Sequence, residues 1–469
     1  MPTYDVIVLG AGSTGENVAD RAHRGGLSAV VVESELVGGE CSYWACMPSK
    51  ALLRSGQALD AAIAVEGAKE AVTGGLDVAK IFERRDSFTS HWKDDGQVQW
   101  LEGAGIELIR GIGRLTGPKT VTVTSSDGDV TELTATQAVV IATGSDALLP
   151  PIDGLADAKP WTSREATSAK AAPTSLVILG GGVIGVEMAT AYAAFGTEVS
   201  LIEGGPRVLA AYEEFVGEAV TTSLRDKGVH VVAGVHATAV SRDADGVTVT
   251  TDDGRRVTGA ELLVCVGRTP RTGDIGLETV GLEPGSWLEV DDTMLVTGYD
   301  WLYAAGDCNH RALLTHMGKY QARACGDVIA ARAKGGVQTP AWSRFTADAD
   351  HTAVPQVVFC DPEVAAVGLS EQQAREAGID VRCAEYEIGS VAGAAVYADG
   401  YTGHAKMVVD QARGVVVGVT LLGPVVGEML HAATVMVVGE VPLSRLWHAV
   451  PSYPTISEMW LRLLETYGL

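Results

Sequence analysis

The segment GGECSYWACMPSKALLR places Cys41 and Cys46 five positions apart, with Lys50 four further on. Two thiols this close in sequence suit a redox pair, in which a thiolate makes or breaks a disulfide. In a regular α-helix this spacing separates the Cα atoms by roughly 8.7 Å, beyond the roughly 7 Å that a disulfide tolerates. A bridge therefore demands distorted helix. Pro48 offers a cause, since it has no N–H for the carbonyl of Trp44. A helix starting here would also turn its N-terminus on the thiols and favour a thiolate. Lys50, one turn after Cys46, adds positive charge on the same face, while Glu40 beside Cys41 opposes it. Zinc binding is a rival reading, but it needs further ligands, and no CxxC or HxxxH occurs. Two inert buried cysteines are the other. Cys265, Cys308, Cys325, Cys360 and Cys383 stand singly and read as small buried hydrophobes.

The elements around the pair form a duplicated unit. Strand-like Asp5 to Leu9 runs into GAGSTG, with Gly10, Gly12 and Gly15 in fingerprint positions, then a helical stretch from Glu16 and a second strand ending at Glu33. Such a βαβ unit brings a pyrophosphate to a helix N-terminus, and the acid accepts hydrogen bonds from a ribose. The design returns with Gly180, Gly182, Gly185 and Glu203. From Gly10 to Glu33 is 23 positions, and so is Gly180 to Glu203. Two dinucleotides are implied. A carboxylate at Glu203 repels a 2′-phosphate, so NADH is expected over NADPH, although Arg207 lies close by.

Short β-rich pieces at 119–124, 247–251 and 262–266 are bounded by Gly and Asp turn signals. KGGVQTPAW, from Lys334, suits a domain boundary. Beyond it, strands at 356–360, 405–409 and 415–422 precede helical patterns from Gly427 and Ile456, an α+β arrangement. The chain of 469 residues exceeds what one core serves. A net charge of −24 without a basic cluster excludes a phosphate-backbone binder, so no nucleic acid partner is expected. The most apolar window, 176–196, is interrupted by Gly180, Gly181, Gly182 and Glu187, so no membrane span is expected. With no signal-peptide pattern at the start, a cytoplasmic location is the expectation.

Together, the paired dinucleotide units and GGECSYWACMPSK resemble the flavoprotein disulfide reductases, the family that includes dihydrolipoamide dehydrogenase, glutathione reductase and mercuric reductase. IATGS at 141–145, with Gly144, is similar to the segment closing the first FAD portion; CVGRTP at 265–270 is similar to the end of the NAD domain; YAAGDC at 303–308 is similar to the second FAD motif. The resemblance implies an α/β fold with two Rossmann-like dinucleotide-binding domains and a C-terminal α+β dimerisation domain. The expected boundaries are 1–152 for the first FAD part, 153–272 for the NAD(P) domain, 273–340 for the second FAD part and 341–469 for dimerisation. It implies FAD held by Gly10, Gly12, Gly15, Glu33, Gly144 and Asp307, with Asp307 on the ribityl chain. Gly180, Gly182, Gly185 and Glu203 would hold NAD. Cys46 would face the flavin, Cys41 would meet substrate, and Lys50 would pair with Glu187. No metal is expected, and a homodimer is.

The chain also departs from that pattern. The family ends with a His-Pro and an acid five residues after the His, the His acting as base. Here HAVPSYPTISE puts Tyr453 five before Glu458. A phenol titrates near pH ~10 against ~6.5 for imidazole, which makes tyrosine a poor base but a usable hydrogen-bond donor. His448 is nearby in sequence. Tyrosine at this place resembles mercuric reductase, but LLETYGL carries no terminal cysteine pair. SYWA is bulkier than the usual spacer, and Glu40 stands where threonine is common. The expected activity is an NAD(P)H- and FAD-dependent oxidoreductase whose Cys41–Cys46 disulfide reduces a small disulfide or thiophilic acceptor. The alternatives are dihydrolipoamide dehydrogenase, a mercuric-reductase-like enzyme, a quinone reductase with a non-catalytic disulfide, or a structural subunit.

Overall fold

Unbroken apolar runs such as DVIVL and AVVVE mark strands covered on both faces rather than one. They form the parallel neighbours Thr3–Leu9 and Ala29–Glu33, with Val6, Ile7 and Val8 wholly buried. The computed structural model describes residues 2–469. The chain divides into two compact units, one of 2–48, Asp86–Leu148 and Gly267–His351, the other of Ser49–Arg85, Leu149–Val266 and Thr352–Leu469.

In the first unit, a sheet runs in the order Glu107–Arg110, Ala29–Glu33, Thr3–Leu9, Val130–Ile141, Thr120–Thr124, Ile112–Gly117, with Leu302–Ala304 also on Val130–Ile141. The pairs nearest the glycine loop are parallel, and the outer Ile112–Thr124 hairpin is antiparallel. The helices Ser13–Arg24 and Thr315–Ala333 pack on one face around Val18, Ala22, Ala322 and Val328. Small residues on both helices let them approach closely. A Cβ on Gly25 would come within 2.3 Å of that of Ala330.

The second unit repeats the design. Four parallel strands, His230–Ala233, Glu198–Glu203, Ser175–Leu179 and Glu261–Val264, carry the helix Val183–Ala194. A five-stranded antiparallel sheet, Gln356–Val358, Val364–Gly368, Val415–Leu422, His404–Asp410 and Val381–Glu387, is flanked by Val426–Val438 and Glu458–Tyr467. The α/β class, the two Rossmann-like sheets and the C-terminal α+β portion all stand as expected. Among the described residues, no helix is long and apolar enough to cross a membrane.

The duplication extends to single atoms. A Cβ on Gly15 would lie 1.9 Å from the Gly10 carbonyl oxygen, and one on Gly185 would lie 1.9 Å from that of Gly180. Gly182, by contrast, has nothing within 4 Å of its missing side chain. Gly185→Ala is therefore expected to cost about 2–4 kcal/mol. Gly182→Ala should stay within about 0.5 kcal/mol of wild type. Thermal unfolding followed by circular dichroism measures both.

Candidate active site

The cysteines sit on two helices, not one. The short helix Gly39–Tyr43 stops at Trp44, whose φ of −136° and ψ of 1° leave the helical region, and a new helix, Cys46–Ile63, begins at the second cysteine. The expected distortion is thus a complete break, and it falls at Trp44, the residue whose carbonyl Pro48 leaves without an N–H. Pro48 falls in the first turn of the new helix, where no N–H is needed and proline is tolerated. Both residues are thiols, and each is only partly exposed. Cys41 and Cys46 hydrogen-bond to each other, and the Cys46 Sγ lies 3.2 Å from the Thr315 hydroxyl. The Cys46 interaction, then burial, push the Cys41 thiol well up, while Thr315 and the charge of Lys319 pull it down. Thr315 opens the helix Thr315–Ala333, so two helix N-termini face the pair. Thr315 and Lys319 carry no motif and lie over 260 residues from the thiols, so sequence reading passed over them.

Gly10, Gly12 and Gly15 open the helix Ser13–Arg24, as the fingerprint requires. The Glu33 carboxylate closes this loop, accepting the Ala11 N–H at 2.7 Å and the Glu35 N–H at 2.8 Å. Opposite it, Gly144 (φ +76°) leaves open space, and the buried Thr143 hydroxyl has no partner. Ser145 donates to Asp307 at 2.5 Å and accepts from Arg268 at 2.6 Å. Exposed N–H groups at a helix start, an open glycine and an unsatisfied buried hydroxyl fit a dinucleotide such as FAD. Glu16, the residue after the loop, was not foreseen in this role. It is 7 % exposed, one carboxylate oxygen has no partner, and burial pushes its pKa up to about 8, helped by Glu33 and opposed by Lys319.

The second loop matches the first. Glu203 accepts the Gly181 and Gly205 N–H groups, each at 2.5 Å, from the same relative positions as Ala11 and Glu35. Arg207 gives its guanidinium to the Tyr212 carbonyl at 3.3 Å. Helix Val183–Ala194 then supplies Glu187, 3 % exposed. Its two oxygens accept Lys50 Nζ at 2.8 Å and the Phe359 N–H at 3.0 Å, and the ammonium sits 4.9 Å from the Phe359 ring centroid. Glu187 was placed from resemblance, and the ion pair is present. Among the single cysteines, Cys308, Cys325 and Cys360 are buried, whereas Cys265 and Cys383 are partly exposed and depart from the buried-hydrophobe reading.

At the C-terminal end, Glu458 starts the helix Glu458–Tyr467 and accepts the Gly393 N–H at 3.4 Å. A Cβ on Gly393 would lie 2.0 Å from the Thr455 carbonyl carbon, so the segment packs directly on that glycine. Tyr453 is nonetheless 77 % exposed, and His448 is exposed too. Among the described residues, no group of three or more His, Cys, Asp or Glu side chains could hold a metal ion.

Comparison with known proteins converges on one family. Residues 4–332 match the profile described as pyridine nucleotide-disulphide oxidoreductase, and residues 354–463 match its dimerisation domain. Dihydrolipoyl dehydrogenase of Geobacillus stearothermophilus is 31% identical over 470 residues, covering 98% of this chain and 95% of the relative. Mercuric reductase of Staphylococcus aureus is 29% identical, covering 97% and 81%. Among solved structures, the HOCl-induced flavoprotein disulfide reductase RclA of Escherichia coli superposes with a TM-score of 0.85 at 24% identity, covering 99% of each chain.

The Glu16 environment generates a pH prediction. Its folded pKa, about 8, lies above the ordinary 4.5, so its contribution to stability is present below the lower value and lost as pH rises through the upper one. Relative to Glu16→Gln, wild type should lose on the order of 3 kcal/mol between about pH 5 and pH 9, read from urea midpoints.

Proposed function

The chain belongs to the pyridine nucleotide-disulphide oxidoreductases, enzymes that bind FAD and use a pyridine nucleotide. From that premise we propose that it reduces a small disulfide or thiophilic acceptor through Cys41 and Cys46, with NADH as donor. The observation that carries this reading is the direct Cys41–Cys46 hydrogen bond at the head of a helix, beside Thr315. FAD, when bound, supplies the two-electron link between nicotinamide and thiols. The residues present for it are Gly10, Gly12, Gly15, Glu33, Thr143, Gly144 and Asp307, which bind and orient. Cys46 at its helix N-terminus is the sulfur suited to stay a thiolate, and Cys41 is the one that attacks the acceptor. Glu187 holds the Lys50 ammonium as a fixed cation on the same helix as Cys46.

The donor preference rests on Glu203. Its carboxylate is pinned by two N–H groups at the end of the second strand, where it repels a 2′-phosphate. Arg207, the cation that would reverse this, is turned to Tyr212. The dimerisation domain supports a homodimer. Its surface carries Val396, Tyr397, Val435, Val438, Trp447 and Val450 exposed, an apolar set suited to a second copy. In that assembly Tyr453 would serve as hydrogen-bond donor where the family has a base.

A second reading makes the chain a quinone reductase with the thiols as a sensor. The upward push on Cys41, with tyrosine in place of the base, favours it. Cys41→Ser and Cys46→Ser separate the two. Each is expected to lower turnover of lipoamide and glutathione disulfide about a hundredfold or more while leaving quinone reduction within about threefold. Disulfide turnover unaffected by either change gives the sensor reading. A kcat/KM ratio of at least roughly tenfold for NADH over NADPH is expected, with Glu203→Ala narrowing it.

A further inference from the structure

Glu40 precedes the substrate-facing thiol directly, and a carboxylate there opposes formation of a Cys41 thiolate. It does not stand alone. Arg271, which follows the strand Arg268–Pro270, reaches Glu40 Oε1 with Nη2 at 3.0 Å. The same guanidinium holds Asp146 at 2.6 Å through Nε, and Glu35 lies 3.8 Å from its Nη1. Its own N–H donates to the Gly144 carbonyl at 3.1 Å, which anchors the backbone from which the side chain extends. The Arg271 side chain is 28 % exposed and that of Glu40 is 23 % exposed, so the contact is screened less than a surface pair. One arginine thus gathers carboxylates from the loop after the first βαβ unit, the thiol-bearing helix and the strand Ser145–Ala147.

We propose that Arg271 is a positioning residue that cancels the Glu40 charge beside Cys41 and so keeps that thiol reactive. The proposal rests on the reading of Cys41 as the attacking sulfur. The groups facing Cys41 from other elements are Cys46 at the start of the long helix and Thr315 and Lys319 on the helix Thr315–Ala333. Glu40 is the charged neighbour on its own helix. Lys319 is the cation among them, so an uncompensated Glu40 carboxylate would add to the Cys46 interaction and the burial that already oppose a thiolate at Cys41. The Glu40–Arg271 pair gives Arg271 a function at the thiols without touching them.

The test uses the reduced holoenzyme under argon. Iodoacetamide reacts with the Cys41 thiolate, which displaces iodide and forms a C–S bond, and tandem mass spectrometry separates Cys41 from Cys46 on their shared peptide. Arg271→Met should slow alkylation of Cys41 at pH 7.5 about three- to fivefold and move its pH–rate profile upward. Glu40→Gln, which leaves the cation in place, should speed it by a similar factor. The double variant should return the rate and the profile to near wild type. Equal slowing in the single Arg271 variant and the double variant would overturn the proposal, as would no change in any of them. Because alkylation needs no acceptor, charge compensation can hold while disulfide turnover is absent, and the reverse. Failure of this proposal and failure of the functional reading are therefore read separately.

Discussion

A carbonyl oxygen pressed against a glycine Cα sets the geometry of both nucleotide loops. Because no side chain separates Gly10 from Gly15, or Gly180 from Gly185, each helix starts tight against its strand. Its first N–H groups then point at the loop without an intrahelical partner, available to a ligand. The two acids complete the arrangement. Glu33 and Glu203 each take one N–H from within the glycine loop and one from two residues beyond themselves, so their carboxylates are oriented before any ribose arrives. Preorganisation of this kind lowers the ordering cost of binding.

The thiol pair depends on that frame through a different device. A continuous helix would hold Cys41 and Cys46 too far apart, and the chain solves this by ending one helix at Tyr43 and starting another at Cys46. The break also places Cys46 at a helix N-terminus, where the dipole favours a thiolate. Thr315 then adds a hydroxyl and a second N-terminus from a distant part of the chain. Proximity and electrostatics arise from the same backbone change.

Electrostatic compensation recurs around these sites. Lys50 is countered by a buried Glu187 whose second oxygen is tied to the Phe359 N–H, so the ammonium has one position. Glu40 is countered by Arg271. Glu16 is the exception: it is buried with an unpartnered oxygen and held mainly as the neutral acid around pH 7. In a protein with a formal charge of −24, carboxylates near these sites are held by a cation, a proton or backbone N–H groups, and all three solutions occur here.

Local patterns determined most of the architecture. The glycine spacing, the apolar strands and the acid 23 positions after each first glycine are all short-range, so the sequence by itself specified two βαβ units, the α/β class and the residues lining their loops. It also marked Cys41 and Cys46, because two thiols five apart are visible without a fold. How far the helix opens between them was decided by the tertiary structure, since Pro48 signals a loosened turn at the Trp44 carbonyl while the chain breaks there completely and restarts at Cys46. Thr315, Lys319 and Arg271 meet the thiol helix from the other end of the first unit, and no spacing rule links residues more than 200 positions apart. Tyr453 was legible as a departure, but its exposure was not, because exposure depends on how the C-terminal segment packs against Gly393.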